Sequence, residues 1–173
     1  FTGGKFAPLK RTELVLEVFN EINAPDLHLI IVGEADENTI SYKEKLMDLA
    51  VGKENIHFVG WLNNRGVYEH LAASDIAVFP SSQSIIWLQA LASHLPIIIG
   101  DFGNQSLDYL NEYGAVIELE LENINVKNFK REIEKQLIDE NLRQGKLNAA
   151  KTAAKYLDWN NLIKKTLSHV EIS

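Results

Sequence analysis

Runs of apolar residues alternate with amphipathic segments along the first two thirds of the chain. The runs at 29–32 and 97–99 consist only of Leu, Ile and Val, a pattern typical of strands that are covered on both faces of a parallel sheet. Segment 10–22 instead carries its apolar residues at helical spacing. We predict strands at 1–6, 27–33, 56–61, 76–80, 97–100 and 115–119, and helices at 10–22, 41–50, 66–73, 84–93, 106–111, 127–139, 141–156 and 159–170.

This alternation of strands and helices predicts an α/β fold with a doubly wound parallel sheet. We expect a single domain over residues 1–173, with a six-stranded sheet core at 1–120 and a tail of helices at 121–173. In sheets of this kind, ligands bind at the carboxyl ends of the strands, near the topological switch point. We therefore expect the functional residues to lie where the predicted strands end.

Segment 76–100 carries the clearest chemical signal. It contains a buried strand, a turn at Pro80, a short apolar helix, a stop at Pro96 and a second buried strand. Ser81, Ser82 and Ser84 are candidate capping hydroxyls for this helix. The first N–H groups of a helix and the positive end of its dipole favour a bound anion. The segment therefore predicts an anion-binding turn in a parallel sheet.

A second signal lies at the start of the chain. Gly3 and Gly4 allow a close approach between backbone and ligand, and Lys5 and Lys10 place two cations near the end of a strand and the start of a helix. Two lysines in such positions can also be ordinary solvated charges. A lysine at a helix amino end opposes the helix dipole, which favours a functional reason for its presence.

Composition limits the other function classes. The chain has 17 basic and 24 acidic residues, a net charge of −7, and no cysteine. The negative charge argues against non-specific nucleic-acid binding, and the lack of cysteine excludes disulfide and thiol chemistry. The histidines are scattered and no Asp-x-Asp pair occurs, so we predict neither a metal site nor a cofactor. We expect a cytoplasmic fragment of a longer protein, because the chain starts inside a predicted strand.

Segment 76–100 resembles the donor-sugar signature of the group 1 glycosyltransferases, retaining enzymes of the two-domain GT-B fold. Residues 89–98 stand in the frame of the family pattern Glu-Ala-Met-Ala-x-Gly-x-Pro-Val-Ile. Residues 83–89 resemble the turn His-Ser-x-x-Trp-Glu-Gln of a subgroup associated with bacterial surface polysaccharides. The Gly3-Gly4-Lys5 turn and Lys10 resemble the start of the family's C-terminal domain. The resemblance covers residues 1–120.

The resemblance implies a donor-binding domain that holds a nucleotide-diphosphate sugar. It assigns leaving-group stabilisation to two catalytic residues, Lys5 and Lys10. The residues implied in donor binding are Gly4, Gly60, Gln83, Ser84, Ile85 and Gln89. The acceptor, a glycan or a lipid-linked glycan, would bind to an N-terminal half that precedes this chain, and peripheral membrane association of the full-length protein is a further expectation.

Three departures from the family pattern keep alternatives open. Gln89 stands where the family has Glu, Gln83 where the subgroup has His, and His94 where the family has Gly. The first two leave a non-catalytic relative that retains nucleotide binding as an alternative. We expect His94 to tolerate a positive φ. A flavodoxin-like or receiver-type regulatory domain is a third interpretation, but it needs acidic residues where this chain has Gly4 and Lys5.

Overall fold

The computed structural model describes residues 1–81, 83–103 and 107–168. The predicted capping residue Ser82, the first residue of the predicted helix 106–111 and the end of the predicted helix 159–170 lie outside these ranges. The strands are β1 (Thr2–Gly3), β2 (Leu29–Val32), β3 (Ile56–Gly60), β4 (Ala77–Phe79), β5 (Ile97–Gly100) and β6 (Val116–Leu119). The α-helices are α1 (Thr12–Glu21), α2 (Ile40–Leu49), α3 (Asn64–Ala72), α4 (Ile85–Ala92), α5 (Asp108–Asn111), α6 (Val126–Ile138), α7 (Glu140–Tyr156) and α8 (Trp159–Ser168).

All described strand pairs are parallel, which confirms the α/β prediction. The prediction of a single six-stranded sheet is wrong, because the strands form two three-stranded sheets with the orders β1-β2-β3 and β4-β5-β6. The reason lies in β1, which is only two residues long. Phe1 contacts the other sheet through two backbone hydrogen bonds. Its nitrogen donates to the Ile76 carbonyl at 2.8 Å, and its carbonyl accepts from Val78 N–H at 2.8 Å.

Helices cover both faces of the sheets. Ile97 and Ile99 belong to one buried cluster, together with apolar residues of α3, α4 and α7. Ile98 points to the opposite cluster, which contains the apolar faces of α1, α2 and α6. This alternation explains the unbroken apolar run in β5, because every residue of a strand covered on both faces is buried.

Most predicted boundaries shift by a few residues, and the reasons are local. Strand β1 ends early because the chain turns at Gly4, which has a φ of 135°. Helix α1 begins two residues later than predicted, since Arg11 has a left-handed backbone (φ 52°) between a 3-10 turn at Pro8–Lys10 and the helix. His94 has a φ of 66° after α4, which confirms the expectation for that position.

Two glycines allow backbone segments to touch at the carboxyl edge of the sheets. A Cβ atom at Gly33 would lie 1.9 Å from the Gly4 carbonyl oxygen, and one at Gly100 would lie 2.1 Å from the Pro80 carbonyl oxygen. Such distances leave no room for a side chain. The loops that follow β1 and β4 are therefore held against the ends of β2 and β5.

No helix in the described part of the chain is long and apolar enough to cross a membrane.

Replacing Gly100 by Ala should lower the free energy of unfolding by about 1–3 kcal/mol, the range for overpacking a filled site. The matched control is Gly145→Ala in α7, where nothing lies within 4 Å of the new Cβ. That change should raise the free energy of unfolding by about 0.5–1 kcal/mol, because Ala is the better helix former. Urea unfolding monitored by circular dichroism measures both. Equal effects of the two substitutions would contradict the close approach at Pro80.

Candidate functional site

A cavity of about 180 Å³ opens where the ends of β1, β2 and β3 meet the start of α4. This is the carboxyl edge of the strands, where the sequence pattern predicts ligand binding. The lining residues come from the end of β2, from the loops after the three strands, and from the N-cap of α4 and the first two turns of α3 and α4. They are Gly4, Lys5, Val32, Gly33, Trp61, Leu62, Asn64, Val67, Ser84, Ile85, Ile86 and Gln89.

The amino end of α4 forms one wall of the cavity. Ser84 occupies the N-cap position with an extended backbone (φ −151°, ψ 147°). Its side chain makes no capping hydrogen bond, so the prediction that Ser84 caps the helix through its hydroxyl is wrong. Ser81 is 4% exposed and lies before the cap. Because the first N–H groups of a helix have no acceptor within it, this end of α4 suits an anion.

Buried contacts hold α4 rigidly in place. Ile86, Trp87, Ala90 and Leu91 are all buried in one core cluster. Trp87 lies against Phe79 of β4, with ring centroids 6.2 Å apart. The helix start therefore has a defined position relative to the end of β4, as the pattern of segment 76–100 predicts.

Lys5 follows β1 and lines the cavity. Its Nζ atom forms an ion pair with Asp36 Oδ2 at 2.5 Å, and the two side chains are 53% and 41% exposed. The hydrogen bond from Lys5 is the largest cause that holds the pKa of Asp36 below its usual range. The Lys5 charge thus lies at the cavity with an acidic neighbour on the loop after β2.

Lys10 does not line this cavity. Its Nζ atom donates to the backbone carbonyl of Gln83 at 3.1 Å, across 73 residues of sequence. Burial lowers the pKa of Lys10 from its ordinary value. The contact places the Lys10 charge one residue before the N-cap of α4.

Gln83 and Gly60 also lie beside the cavity rather than in its wall. The Gln83 side chain donates from Nε2 to the Tyr109 hydroxyl at 3.0 Å. Gly60 ends β3 with a φ of 73°, and its carbonyl accepts from Gly33 N–H at 2.9 Å. Gly60 therefore sets the course of the chain into Trp61, which does line the cavity.

Gln89 lies in the wall of the cavity, one turn of α4 after Ile85. It is partly exposed, whereas its neighbour Ala90 is buried. The side-chain amide can both donate and accept hydrogen bonds. The structure thus brings Gly4, Lys5, Ser84, Ile85 and Gln89 together in one cavity, and leaves Lys10, Gln83 and Gly60 next to it.

Sequence reasoning missed Trp61, Asn64 and Asp36. Trp61 is a large aromatic side chain that is 69% exposed and borders the cavity. In the sequence, Trp61 is the last residue of the predicted strand 56–61. It therefore lies at the carboxyl end of a strand, where ligands bind in such sheets. Asn64 begins α3 after the N-cap Asn63, whose side chain accepts from Gly66 N–H at 2.9 Å. Asp36 carried no signal, because its contact with Lys5 spans two loops.

A larger cavity of about 660 Å³ lies elsewhere, between α3, α4 and the corner that joins α7 to α8. It includes Tyr68, Leu88, His94 and Lys151 but none of the residues predicted to bind a donor. It lies along the carboxyl end of α4, where the dipole favours cations. The smaller cavity is therefore the better candidate for an anionic ligand.

Among the residues that the structure describes, no group of three or more His, Asp or Glu side chains is arranged to hold a metal ion.

Two curated proteins share sequence with this chain. YqgM of Bacillus subtilis, an uncharacterized glycosyltransferase, is 34% identical over 95 residues, which are 54% of this chain and 26% of YqgM. A mannosyltransferase of Corynebacterium glutamicum, described as GDP-mannose-dependent and acting on a monoacylated phosphatidylinositol monomannoside, is 25% identical over 170 residues. That match covers 90% of this chain and 42% of the mannosyltransferase. The chain therefore spans less than half the length of either relative.

Among solved structures, HepE of Anabaena in complex with UDP and glucose has a similar fold. The TM-score is 0.76 at 17% identity, over 98% of this chain and 48% of HepE. The family model described as "Glycosyl transferases group 1" matches residues 1–139. This match agrees with the signature in segment 76–100 and with the parallel α/β fold. The chain belongs to the group 1 glycosyltransferases.

Proposed function

We propose that this chain is the donor-binding domain of a retaining, metal-independent glycosyltransferase and that the 180 Å³ cavity holds a nucleoside-diphosphate sugar. The observation that carries the proposal is the convergence of Lys5 and the amino end of α4 on one cavity at the carboxyl edge of the strands. A cation and a helix amino end together suit a diphosphate. The complex of HepE with UDP and glucose supports this choice of ligand.

The chemistry proposed for the site is stabilisation of the leaving group. When the bond between the anomeric carbon and the nucleoside diphosphate breaks, negative charge develops on the diphosphate oxygens. Donors that are already oriented stabilise this charge more in the transition state than in the ground state. Lys5 and the N–H groups of Ser84 and Ile85 supply these donors. Lys10 adds positive charge through its position beside the Gln83 carbonyl.

Other residues in the cavity wall and beside it contact the rest of the ligand. Trp61 lies after β3, two strands away from β1, so the end of the ligand most distant from the sugar reaches it. We assign Trp61 to the base, with Gly60 allowing close approach of the backbone. Gln89 is assigned to the ribose hydroxyls, and Gln83 to the donor sugar or a phosphate.

The acceptor is proposed to bind on a second half of a longer protein. The chain spans 26% and 42% of the two curated relatives, which agrees with such a division. The turn at residues 83–89 favours a role in surface-polysaccharide or glycoconjugate synthesis. The Corynebacterium relative acts on a phosphatidylinositol mannoside, and this supports a lipid-linked acceptor and a place for the full-length protein at the inner face of the membrane.

Gln89 favours a second candidate function. An ionised Glu at this position would accept charge-assisted hydrogen bonds from two ribose hydroxyls, and such bonds are about twice as strong as neutral ones. Gln89 stands in place of the family's Glu and Gln83 in place of the subgroup's His. The alternative is therefore a non-catalytic relative that retains nucleotide binding.

The first prediction concerns the diphosphate. Replacing Lys5 by Ala should weaken binding of UDP or GDP by roughly 1.5–3 kcal/mol, the range for hydrogen bonds to charged groups. Lys10→Ala should weaken it less, because Lys10 lies beside the cavity and donates to the Gln83 carbonyl. Binding of uridine or guanosine should barely change. Titration calorimetry on the 173-residue chain measures both. Lys151→Ala, in the larger cavity, is the control and should bind like the unmodified chain. If only Lys151→Ala weakens binding, the donor site lies in the larger cavity.

The second prediction concerns the base. Trp61→Ala should weaken nucleoside and nucleoside-diphosphate binding equally, by about 1–3 kcal/mol, because stacking on the base does not depend on phosphate. Trp61→Phe should retain most of the affinity. In the unmodified chain, nucleotide binding should quench the fluorescence of Trp61. Unchanged affinity in Trp61→Ala, or a loss confined to the diphosphate, would remove Trp61 from the base site.

The third prediction concerns Gln89. Gln89→Glu should keep or raise the affinity for ribonucleotides, and Gln89→Ala should lose roughly 0.5–1.5 kcal/mol. The two variants should differ less in their affinity for deoxyribonucleotides, because these ligands lack the 2′-hydroxyl. Calorimetry with matched ribose and deoxyribose diphosphates measures the difference. If the unmodified chain binds both sugars equally and Gln89→Ala is silent, Gln89 has only a packing role.

A further inference from the structure

Asp36 forms an ion pair with Lys5, and hydrogen bonds within the loop after β2 orient its carboxylate. Thr39 Oγ1 donates to Asp36 Oδ1 at 2.9 Å, and Asn38 N–H donates to the same oxygen at 3.1 Å. Asp36 N–H in turn donates to Thr39 Oγ1 at 3.0 Å. These bonds fix the carboxylate before α2 begins, and the second oxygen, Oδ2, is the one that contacts Lys5 Nζ at 2.5 Å.

The carboxylate therefore presents to Lys5 the same chemical group as a ligand phosphate, an anionic oxygen acceptor. Lys5 is the cation that lines the cavity, and an oxygen of a bound diphosphate needs the same ammonium hydrogens. A lysine ammonium has three donors, but its charge is shared among all the acceptors around it. Any diphosphate in the cavity therefore competes with Asp36 for Lys5.

We propose that Asp36 is a built-in counter-ion of Lys5 that lowers the affinity of the cavity for diphosphates. This inference rests on the proposed function of the cavity and adds a residue that regulates it. In the structure, Asp36 pairs with Lys5 beside the cavity. On binding, the diphosphate takes over Lys5, and Asp36 keeps its two bonds to Thr39 and Asn38. The substrate and the released nucleoside diphosphate both bind less tightly than they would without the carboxylate, which favours product release.

The test uses Asp36→Asn, because an Asn side-chain oxygen can still accept from Thr39 and Asn38. The amide nitrogen replaces Oδ2 and cannot accept from Lys5. The charge-matched control is Glu37→Gln, which removes the same charge from the next residue of the loop. Lys5→Met and the double variant Lys5→Met/Asp36→Asn complete the set. Calorimetry measures binding of UDP, GDP, uridine, guanosine and inorganic pyrophosphate to each variant.

Asp36→Asn should bind the nucleoside diphosphates and pyrophosphate about two- to fivefold more tightly than the unmodified chain, the scale of an exposed ion pair. Nucleoside affinity and the thermal midpoint of unfolding should not change. Glu37→Gln should change diphosphate affinity by less than about twofold, since exposed charges at a distance are screened. In the Lys5→Met background, Asp36→Asn should change diphosphate affinity by no more than Glu37→Gln does in the unmodified chain.

Other outcomes overturn the proposal in distinct ways. Weaker diphosphate binding in Asp36→Asn means that Asp36 helps to hold the ligand-binding form of Lys5 and does not compete. Equal gains in Asp36→Asn and Glu37→Gln mean a general effect of charge. If Asp36→Asn binds diphosphates as strongly as the unmodified chain, the counter-ion proposal is wrong but the proposed function still stands. Absence of binding by every variant, Asp36→Asn included, overturns the counter-ion and the proposed function together.

A second readout is independent of nucleotides. Lys5 is the first cause of the lowered pKa of Asp36, so carboxyl titration by NMR should show that pKa rising toward the ordinary value in Lys5→Met. It should also rise when pyrophosphate binds to the unmodified chain. An Asp36 pKa that is the same with and without Lys5 overturns the counter-ion whatever the nucleotides do.

Discussion

Contact between backbone segments at the carboxyl edge of the sheets determines where the site groups lie. Gly33 lets the chain after β1 rest against the end of β2, and Gly100 lets the turn at Pro80 rest against the end of β5. The first of these segments carries Lys5, and the second leads into α4. Because each segment is pressed against a strand end, the spacing between Lys5 and the helix amino end follows from the sheets. A site built in this way is preorganised by rigid elements rather than by loop conformation.

The electrostatics of the site are local. The chain as a whole carries a net charge of −7, yet its candidate cavity collects a lysine and the positive end of a helix. At physiological ionic strength, charges more than about 8 Å apart in water are largely screened. The groups that touch a ligand therefore outweigh the acidic surface further away. The pairing of Lys5 with Asp36 limits the positive charge even within the cavity.

The cavity combines this charge with apolar surface. Trp61 and Ile85 are large side chains that remain about 70% exposed at its border. A binding site for a nucleotide needs both features, since the base presents a flat ring and the diphosphate presents charge. Asn64 and Gln89 add amide groups that can donate and accept hydrogen bonds. The lining thus matches an amphiphilic ligand better than a purely ionic or a purely apolar one.

The sequence by itself determined the parallel α/β class, the order of strands and helices, and the family. These features depend on local patterns: apolar runs for strands covered on both faces, helical spacing for α1, and the turn at Pro80 before α4. Local patterns also placed Lys5 near a strand end and Ser84 at a helix start, and the family resemblance added Gln89; all three line the cavity. The positive φ of His94 was expected because His94 stands where the family signature has Gly.

Only the tertiary structure decided the division into two sheets, the contact of Lys10 with the Gln83 carbonyl, and the pairing of Lys5 with Asp36. Each depends on the distance between segments that are far apart in the chain. A two-residue strand such as β1 can make only a few backbone hydrogen bonds, and this decides whether it joins the two sheets. Whether a lysine reaches a carbonyl or a carboxylate depends on ångström-scale distances between loops. Hydrophobic periodicity specifies which residues are buried, but it does not specify those distances.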